Sequence, residues 1–191
     1  MATERGPAVG DALLKRLAVS PDVYVQKFDL VRDAALLIEC DAAAYHAASF
    51  LDDRILSPST KGGWVTLGRL IEAARALPGR FPLHFIFHTG HVGSTLVSRL
   101  LEDAGGVLSL REPLTLRLLA DASDRVGKPD SLLSDDGLSV LLETFLRLWG
   151  RGYGETKAVV VKATSSTGRM APRLLAARAE ARAVYLNLAA E

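Results

Sequence analysis

This chain of 191 residues has little cysteine, a net charge close to zero and no long apolar run. Cys40 is its only cysteine, so no disulfide can form within the chain, which is typical of a reducing compartment. The net charge of +1 gives no support to a nucleic-acid-binding surface. No apolar run approaches the length of a membrane span, and the N-terminal residues lack the apolar core of a signal peptide. These scarcities predict a cytoplasmic protein with no membrane span and no nucleic-acid partner.

Apolar residues, by contrast, make up 49% of the chain against 24% charged residues. This balance is ordinary for a globular domain and provides a sizeable core. In residues 80–191 strand-like and helix-like segments alternate, and the expected strands are residues 83–88, 107–110, 157–163 and 181–188. Such alternation predicts an α/β domain with a mostly parallel sheet and right-handed crossovers. Ligands of these sheets bind at the carboxyl ends of the strands.

Residues 1–79 are expected to form a small α+β extension in front of that domain. Its expected elements are two strands followed by two helices, at residues 23–30, 34–40, 42–56 and 64–77. Asp41 is placed to cap the first of these helices, and residues 1–20 are expected to be a loosely held arm or a short helix. Pro78 and Gly79 end the second helix and mark a soft boundary between the two parts.

The helix that follows the first strand of the α/β domain is expected over residues 94–104. Leu96, Leu100 and Leu101 recur along it with helical spacing, so they are expected to face the core. The pair Gly105-Gly106 ends the helix. Three further helices are expected at residues 114–122, 137–150 and 169–181.

The most informative stretch is residues 85–101, FIFHTGHVGSTLVSRLL. It predicts a buried strand, a glycine-rich turn (residues 89–93, the glycine loop) and a helix that opens on Ser94 and Thr95. Backbone amides and the positive end of the helix dipole then meet at one spot, which favours a phosphate-like anion. A Walker A loop carries lysine directly before its final Ser/Thr, and here Ser94 stands in that place. The alternative without an anion site is a plain strand-to-helix turn with Ser94 as its N-cap.

Several segments match, in order, the motifs of one enzyme family. Residues 90–95, Gly-His-Val-Gly-Ser-Thr, correspond to P-R/K-S-G-T-T, and the run Leu-Val-Ser-Arg-Leu-Leu at residues 96–101 corresponds to L-L-S-R-L-L. Arg111-Glu112-Pro113 corresponds to R-E-P. Residues 161–164, 171–175 and 183–188 correspond to E-K-T-P, L-P-x-L-L and the strand of F-I-H-L-V-R-D-P. Over about residues 83 to 188 the chain therefore resembles the sulfotransferase superfamily.

The resemblance implies a fold, a donor and a reaction. The fold would be the P-loop architecture of three layers, α/β/α, around a mostly parallel sheet. The donor substrate would be 3′-phosphoadenosine 5′-phosphosulfate, whose sulfonyl group passes to a hydroxyl or amine of a small molecule or another acceptor. No metal is expected to take part. The family also implies donor contacts from Gly90, His91, Gly93, Ser94 and Thr95.

Three residues carry the chemistry that the resemblance implies. His91 would stabilise the group in transfer, Glu112 would take the acceptor proton, and Lys162 would lie near the bridging oxygen of the donor. Each residue also has a simpler interpretation without a catalytic role. His91 could be a solvated loop histidine, Glu112 a carboxylate favoured by a helix dipole, and Lys162 an edge lysine that reaches solvent by its long stem.

The chain departs from the family pattern at three places. His91 stands where the family has Arg or Lys, and Gly90 stands where it has Pro. Residues 186–191 stand where R-D-P-R, which helps to hold the 3′-phosphate of the donor, is expected. Family members usually continue with further helices, so the comparison predicts that this chain lacks the C-terminal part of the domain.

Two other functions stay open at this stage. One is a phosphotransferase or NTPase with an atypical loop, and the other is a non-catalytic nucleotide-binding fragment. Arg99 and Arg111 are weak candidates for phosphate contacts. A further set of polar and aromatic residues on the helix expected at residues 42–56 either contacts an acceptor or only packs: Tyr45, His46, Phe50, Asp52, Asp53 and Arg54. Neither the acceptor nor the oligomeric state follows from the sequence.

Overall fold

The computed structural model describes residues 7–77 and 81–188, and within them it contains two sheets. The first is antiparallel and consists of β1 (Val23–Asp29), β2 (Ala34–Glu39) and β3 (Gly62–Thr66), with β2 in the middle. Strands β1 and β2 lie where the sequence places them. They are joined by a turn in which Asp33 takes a positive φ of 48°. Helix α1 (Pro7–Leu17) packs on this sheet and buries Leu17 completely.

The second sheet is parallel and has the strand order β5-β6-β4-β7. Its strands are β4 (Leu83–His88), β5 (Val107–Arg111), β6 (Ala158–Lys162) and β7 (Ala183–Leu186). All three pairings between neighbouring strands are parallel. This result confirms the α/β class and the parallel sheet. Because the strands are parallel, their carboxyl ends share one edge of the sheet, here called the carboxyl edge.

Helices cover both faces of the parallel sheet. Helix α4 (Ser94–Asp103) lies on one face, because Ser98 Oγ on it is 2.5 Å from Ser109 Oγ on β5. Leu108 and Leu110 point to the opposite face, where they line a small cavity with Phe145. The remaining helices are α2 (Ala42–Ala47), α3 (Leu67–Arg75), α5 (Leu114–Ser123), α6 (Asp135–Trp149) and α7 (Ala171–Ala177). Two 3₁₀ turns span Asp53–Ile55 and Ser165–Met170.

A single cluster of buried apolar side chains spans both sheets. It includes Leu37 from β2, Phe85 from β4 and Phe145 from α6. Phe85 stacks on Phe87 with their ring centroids 5.9 Å apart, on the face of β4 that joins this cluster. The antiparallel sheet thus shares a core with the parallel sheet. The soft boundary expected at Pro78 and Gly79 lies outside the described residues.

The prediction of a single helix over residues 42–56 is wrong in its length. Asp41 caps α2 as expected, since its carboxylate accepts a hydrogen bond from Ala44 N at 2.8 Å, but α2 ends at Ala47. Beyond it the chain bends, and Leu51 forms backbone hydrogen bonds with Arg111 O and Leu114 N at 2.7 and 3.1 Å. These bonds to the end of β5 compete with helix formation. Apolar spacing within the segment carries no information about them.

The helix expected over residues 64–77 begins later than the sequence suggests. Its first three residues belong to β3, and Thr66 caps α3 by accepting a hydrogen bond from Arg69 N. Gly62 and Gly63 make this strand possible, because a Cβ on Gly63 would lie 2.2 Å from the backbone nitrogen of Gly10 in α1. These glycines therefore permit a close approach of helix and strand.

The prediction that three leucines of α4 face the core is wrong as well. Leu96, Leu100 and Leu101 are 61%, 57% and 39% exposed, whereas Ser94 and Ser98 are buried. Small hydroxyl side chains allow α4 to approach β5 closely, and the Ser98–Ser109 hydrogen bond fixes which side of the helix faces the sheet. Among the described residues, no helix is long and apolar enough to cross a membrane.

Candidate functional site

The glycine loop connects the buried strand β4 to α4 through three residues with positive φ. These are Gly90 at 96°, His91 at 51° and Gly93 at 76°. Gly93 is the N-cap of α4, and a Cβ built on it would meet open space. Ser94 is the first helical residue, so the alternative with Ser94 as N-cap is wrong. Because glycine supplies no capping oxygen, the amides of the first turn of α4 have no side-chain partner there and are available to an anion.

His88 lies beneath the glycine loop and is only 7% exposed. Its Nδ1 accepts a hydrogen bond from Gly90 N at 3.0 Å, and its Nε2 is 2.9 Å from Ala163 O. Since Nδ1 accepts, the ring proton is on Nε2 and is donated to that carbonyl oxygen. Burial and the nearby Lys162 ammonium lower the pKa of His88 from its ordinary value of 6.5.

Glu112 and Lys162 form a buried ion pair at the carboxyl edge. They follow or end the neighbouring strands β5 and β6, and their side chains are 11% and 2% exposed. Lys162 Nζ donates to Glu112 Oε1, and Glu112 N donates to Lys162 O at 2.7 Å. The alternative in which Lys162 reaches solvent is therefore wrong. A buried pair of this kind is costly to desolvate, and it lies at the edge where ligands of parallel sheets generally bind.

Backbone strain is concentrated at this edge. Three non-glycine residues among those described have positive φ, and two of them, His91 and Glu112, belong to the candidate site. Left-handed backbone costs such residues about 1–2 kcal/mol, and it persists where the surrounding structure enforces it. At Glu112 this backbone is held by the amide bond to Lys162 O. With this backbone, the Glu112 carboxylate meets Lys162 at the end of β6.

Phe50 and Arg54 also reach this site, although the sequence placed them on a helix, where they would either contact an acceptor or only pack. The Arg54 guanidinium lies 3.6 Å from the centre of the Phe50 ring, and Lys162 Nζ lies 5.6 Å from it. Asp52 binds Arg54 through both carboxylate oxygens, and these hydrogen bonds raise the pKa of Arg54. Glu112 contributes to the same rise. The only signal in the sequence was the cluster of aromatic and charged residues itself, since the backbone bonds of Leu51 cannot be foreseen.

His91 stands apart from the ion pair. Its side chain is exposed at the tip of the glycine loop, and within the described ranges no hydrogen bond or ion pair involves its ring. Thr95 is half-buried in the first turn of α4, directly after the loop. The loop residues expected to bind the donor thus lie together, with Glu112 and Lys162 at the same edge. In the described residues no cluster of three His, Cys, Asp or Glu side chains could hold a metal.

Arg111 is fully buried and holds the α2 segment rather than an anion. Its guanidinium donates to His46 O and Ala48 O at 2.9 and 2.7 Å and pairs with Glu102 of α4 at 2.8 Å. Arg99 binds the same segment from α4, through His46 O at 3.3 Å and Ser49 Oγ at 3.2 Å. Both arginines therefore position the segment that carries Phe50 and Arg54. Their hydrogen bonds go to this segment and to Glu102, not to the glycine loop.

Replacing Arg111 by Met should lower the free energy of unfolding by about 3 kcal/mol, since it leaves Glu102 and buried carbonyls without their partner. Urea denaturation measures this effect. The matched variant Arg99→Met removes contacts to the same segment near the surface and should cost about 1 kcal/mol or less. Equal effects of the two variants would contradict the assigned role of Arg111.

Comparisons of the chain with protein-family models, with curated proteins and with solved structures find no match. The likeness to sulfotransferases therefore rests on the motif residues alone. What the fold adds is their arrangement: the glycine loop, Glu112 and Lys162 follow or end three neighbouring strands of one parallel sheet.

Proposed function

We propose that this chain is a sulfotransferase-like protein that transfers a sulfonyl group from 3′-phosphoadenosine 5′-phosphosulfate to a hydroxyl or amine. The observation that carries the proposal is the buried Glu112–Lys162 pair beside a glycine loop that lacks the Walker lysine. A Walker A loop carries its lysine directly before the final Ser/Thr. Here the buried cation comes from the neighbouring strand β6, as the sulfotransferase motifs imply.

The glycine loop holds the negative charge of the donor in this proposal. Amides of the first turn of α4, together with the hydroxyls of Ser94 and Thr95, bind the 5′-phosphosulfate at the positive end of the helix dipole. Gly93 allows the anion to approach the backbone, since the space beside its Cα is open. His91, exposed at the loop tip, donates to the departing oxygen when it is protonated.

Glu112 and Lys162 have separate roles in the transfer: Glu112 accepts a proton and Lys162 stabilises developing negative charge. The acceptor oxygen or nitrogen forms a bond to sulfur as its proton passes to Glu112, while the bond between sulfur and the bridging phosphate oxygen breaks. Lys162 stabilises the negative charge that develops on that oxygen. An anionic donor draws Lys162 away from Glu112, which leaves the carboxylate ready to accept the proton.

The test is transfer of ³⁵S from labelled donor to the components of a metabolite extract, separated by chromatography. We expect a labelled product with this chain and none with the Glu112→Gln variant, which keeps the shape of the side chain but cannot act as a base. Failure to label any component, together with binding of ATP–Mg²⁺ by the same preparation, would favour the phosphotransferase alternative and reject the proposal.

A further inference from the structure

His88 joins two segments of the candidate site that come from different strands. Through Nδ1 it accepts from the Gly90 amide of the glycine loop, and through Nε2 it donates to Ala163 O just after β6. The glycine loop needs such support because its next residue, His91, holds a positive φ of 51°. Lys162 directly precedes Ala163, so one imidazole connects the anion-binding backbone to the strand end that carries the cation.

We propose that His88 is a positioning residue, which holds the glycine loop in its anion-binding shape through the Gly90 amide and ties the loop to the end of β6. The inference rests on the proposed function for its ligand, whereas the two hydrogen bonds stand without it. This bond occupies the Gly90 amide, whereas the first-turn amides of α4 remain available to the anion.

The arrangement requires a neutral imidazole. Protonation would place a hydrogen on Nδ1, which would then face the Gly90 N–H donor and could no longer accept from it. Burial and Lys162 both oppose protonation, while the bond to Ala163 and the charge of Glu112 act in the opposite direction with smaller effects. The net result is a pKa below the ordinary 6.5.

The groups around His88 are consistent with this balance. Lys162 on β6 and Glu112 after β5 are the charged groups that act on the ring. On the other side β7 presents the apolar Leu186, which pairs with His88. The first turn of α4 carries hydroxyls, and His91 on the loop itself is exposed. The contribution of the His88 bonds is thus complete above pH 6.5 and is lost as the pH falls through the lower folded-state value.

Three variants separate the two hydrogen bonds. In His88→Asn the amide oxygen takes the place of Nδ1 and can still accept from Gly90, but the side chain is too short to reach Ala163. In His88→Gln the amide nitrogen takes the place of Nε2 and can still donate to Ala163, but no acceptor faces Gly90. His88→Phe keeps the ring shape and loses both bonds. Loop positioning depends on the Gly90 bond, so Asn should rescue what Gln and Phe lose.

Binding of adenosine 3′,5′-bisphosphate at pH 7.5, measured by calorimetry, should fall about tenfold in His88→Gln and His88→Phe. In His88→Asn it should stay within about threefold of the unmodified chain. As the pH is lowered from 7.5 through the folded-state pKa of His88, the unmodified chain should lose more affinity than the Asn variant, because only the former has an imidazole at position 88. Protonation of the ligand phosphates affects both proteins equally and cancels in this comparison.

A second measurement needs no nucleotide and separates this inference from the proposed function. In ¹H–¹⁵N spectra the ring nitrogens of His88 should report the Nε2–H tautomer, and the Gly90 amide signal should shift more on acidification in the unmodified chain than in His88→Asn. If the nucleotide fails to bind while these signals behave as stated, the proposed function fails and the positioning role stands. An Nδ1–H tautomer, or equal affinities in the Asn and Gln variants, would overturn the inference.

Discussion

Replacing Gly93 by Asp should lower the affinity for adenosine 3′,5′-bisphosphate by at least about a hundredfold. The new carboxylate would lie in the open space beside the N-cap of α4, where the proposal places the phosphosulfate. Two like charges about 4 Å apart repel by about 4 kcal/mol at an effective dielectric constant of about 20. Asp tolerates the left-handed backbone of this position better than most residues, so the protein should still fold. Calorimetry measures the loss.

Two variants serve as controls for this result. Gly93→Asn has the same shape and the same backbone tolerance as Asp but no charge, so it should bind far more tightly than Gly93→Asp. Gly105→Asp adds the same carboxylate beyond the other end of α4, again at a glycine with positive φ and open space. It should leave the affinity nearly unchanged. If Gly93→Asp bound as well as Gly93→Asn, the anion site would lie elsewhere.

Replacing Glu112 by Gln should reduce the transfer rate by about 10²- to 10⁴-fold, which is the usual contribution of a general base. It should also lower the free energy of unfolding by about 3 kcal/mol, because Lys162 is left buried opposite a neutral amide. Transfer assays and urea denaturation measure the two effects separately. Affinity for the nucleotide should persist, since Glu112 holds no part of the anion in this proposal.

The double variant Glu112→Gln with Lys162→Met separates stability from activity. It removes both buried charges together, so most of the lost stability should return, as it often does when an apolar group replaces a buried ion pair. Activity should remain absent. A Glu112→Gln protein that transfers the sulfonyl group at the original rate would show that another group accepts the proton.

Much of the fold could be predicted because it depends on local patterns. Alternation of strands and helices is enough to predict the parallel sheet, and that sheet brings the ends of β4, β5 and β6 to one edge wherever those strands are neighbours. Glu112 and Lys162 could therefore be expected near the glycine loop. Their direct pairing could not, since it depends on the positive φ of Glu112.

The features that escaped prediction depend on tertiary contacts. The side of α4 that faces the sheet is fixed by the pairing of Ser98 with Ser109, while apolar spacing favoured its leucines. Phe50 and Arg54 reach the site because Arg111 holds the carbonyls at the end of α2 and Leu51 binds the end of β5. None of these partners is close in sequence. A helical pattern in residues 42–56 could not reveal them.

Calorimetric titration with adenosine 3′,5′-bisphosphate and, separately, with ATP–Mg²⁺ distinguishes the two kinds of site. We propose that the glycine loop, together with Glu112 and Lys162, forms the site of a phosphosulfate donor rather than of a nucleoside triphosphate. We therefore expect saturable binding of adenosine 3′,5′-bisphosphate that is lost in Gly93→Asp and is at least about tenfold tighter than binding of ATP–Mg²⁺. Binding of ATP–Mg²⁺ alone, with no heat from adenosine 3′,5′-bisphosphate, would contradict it.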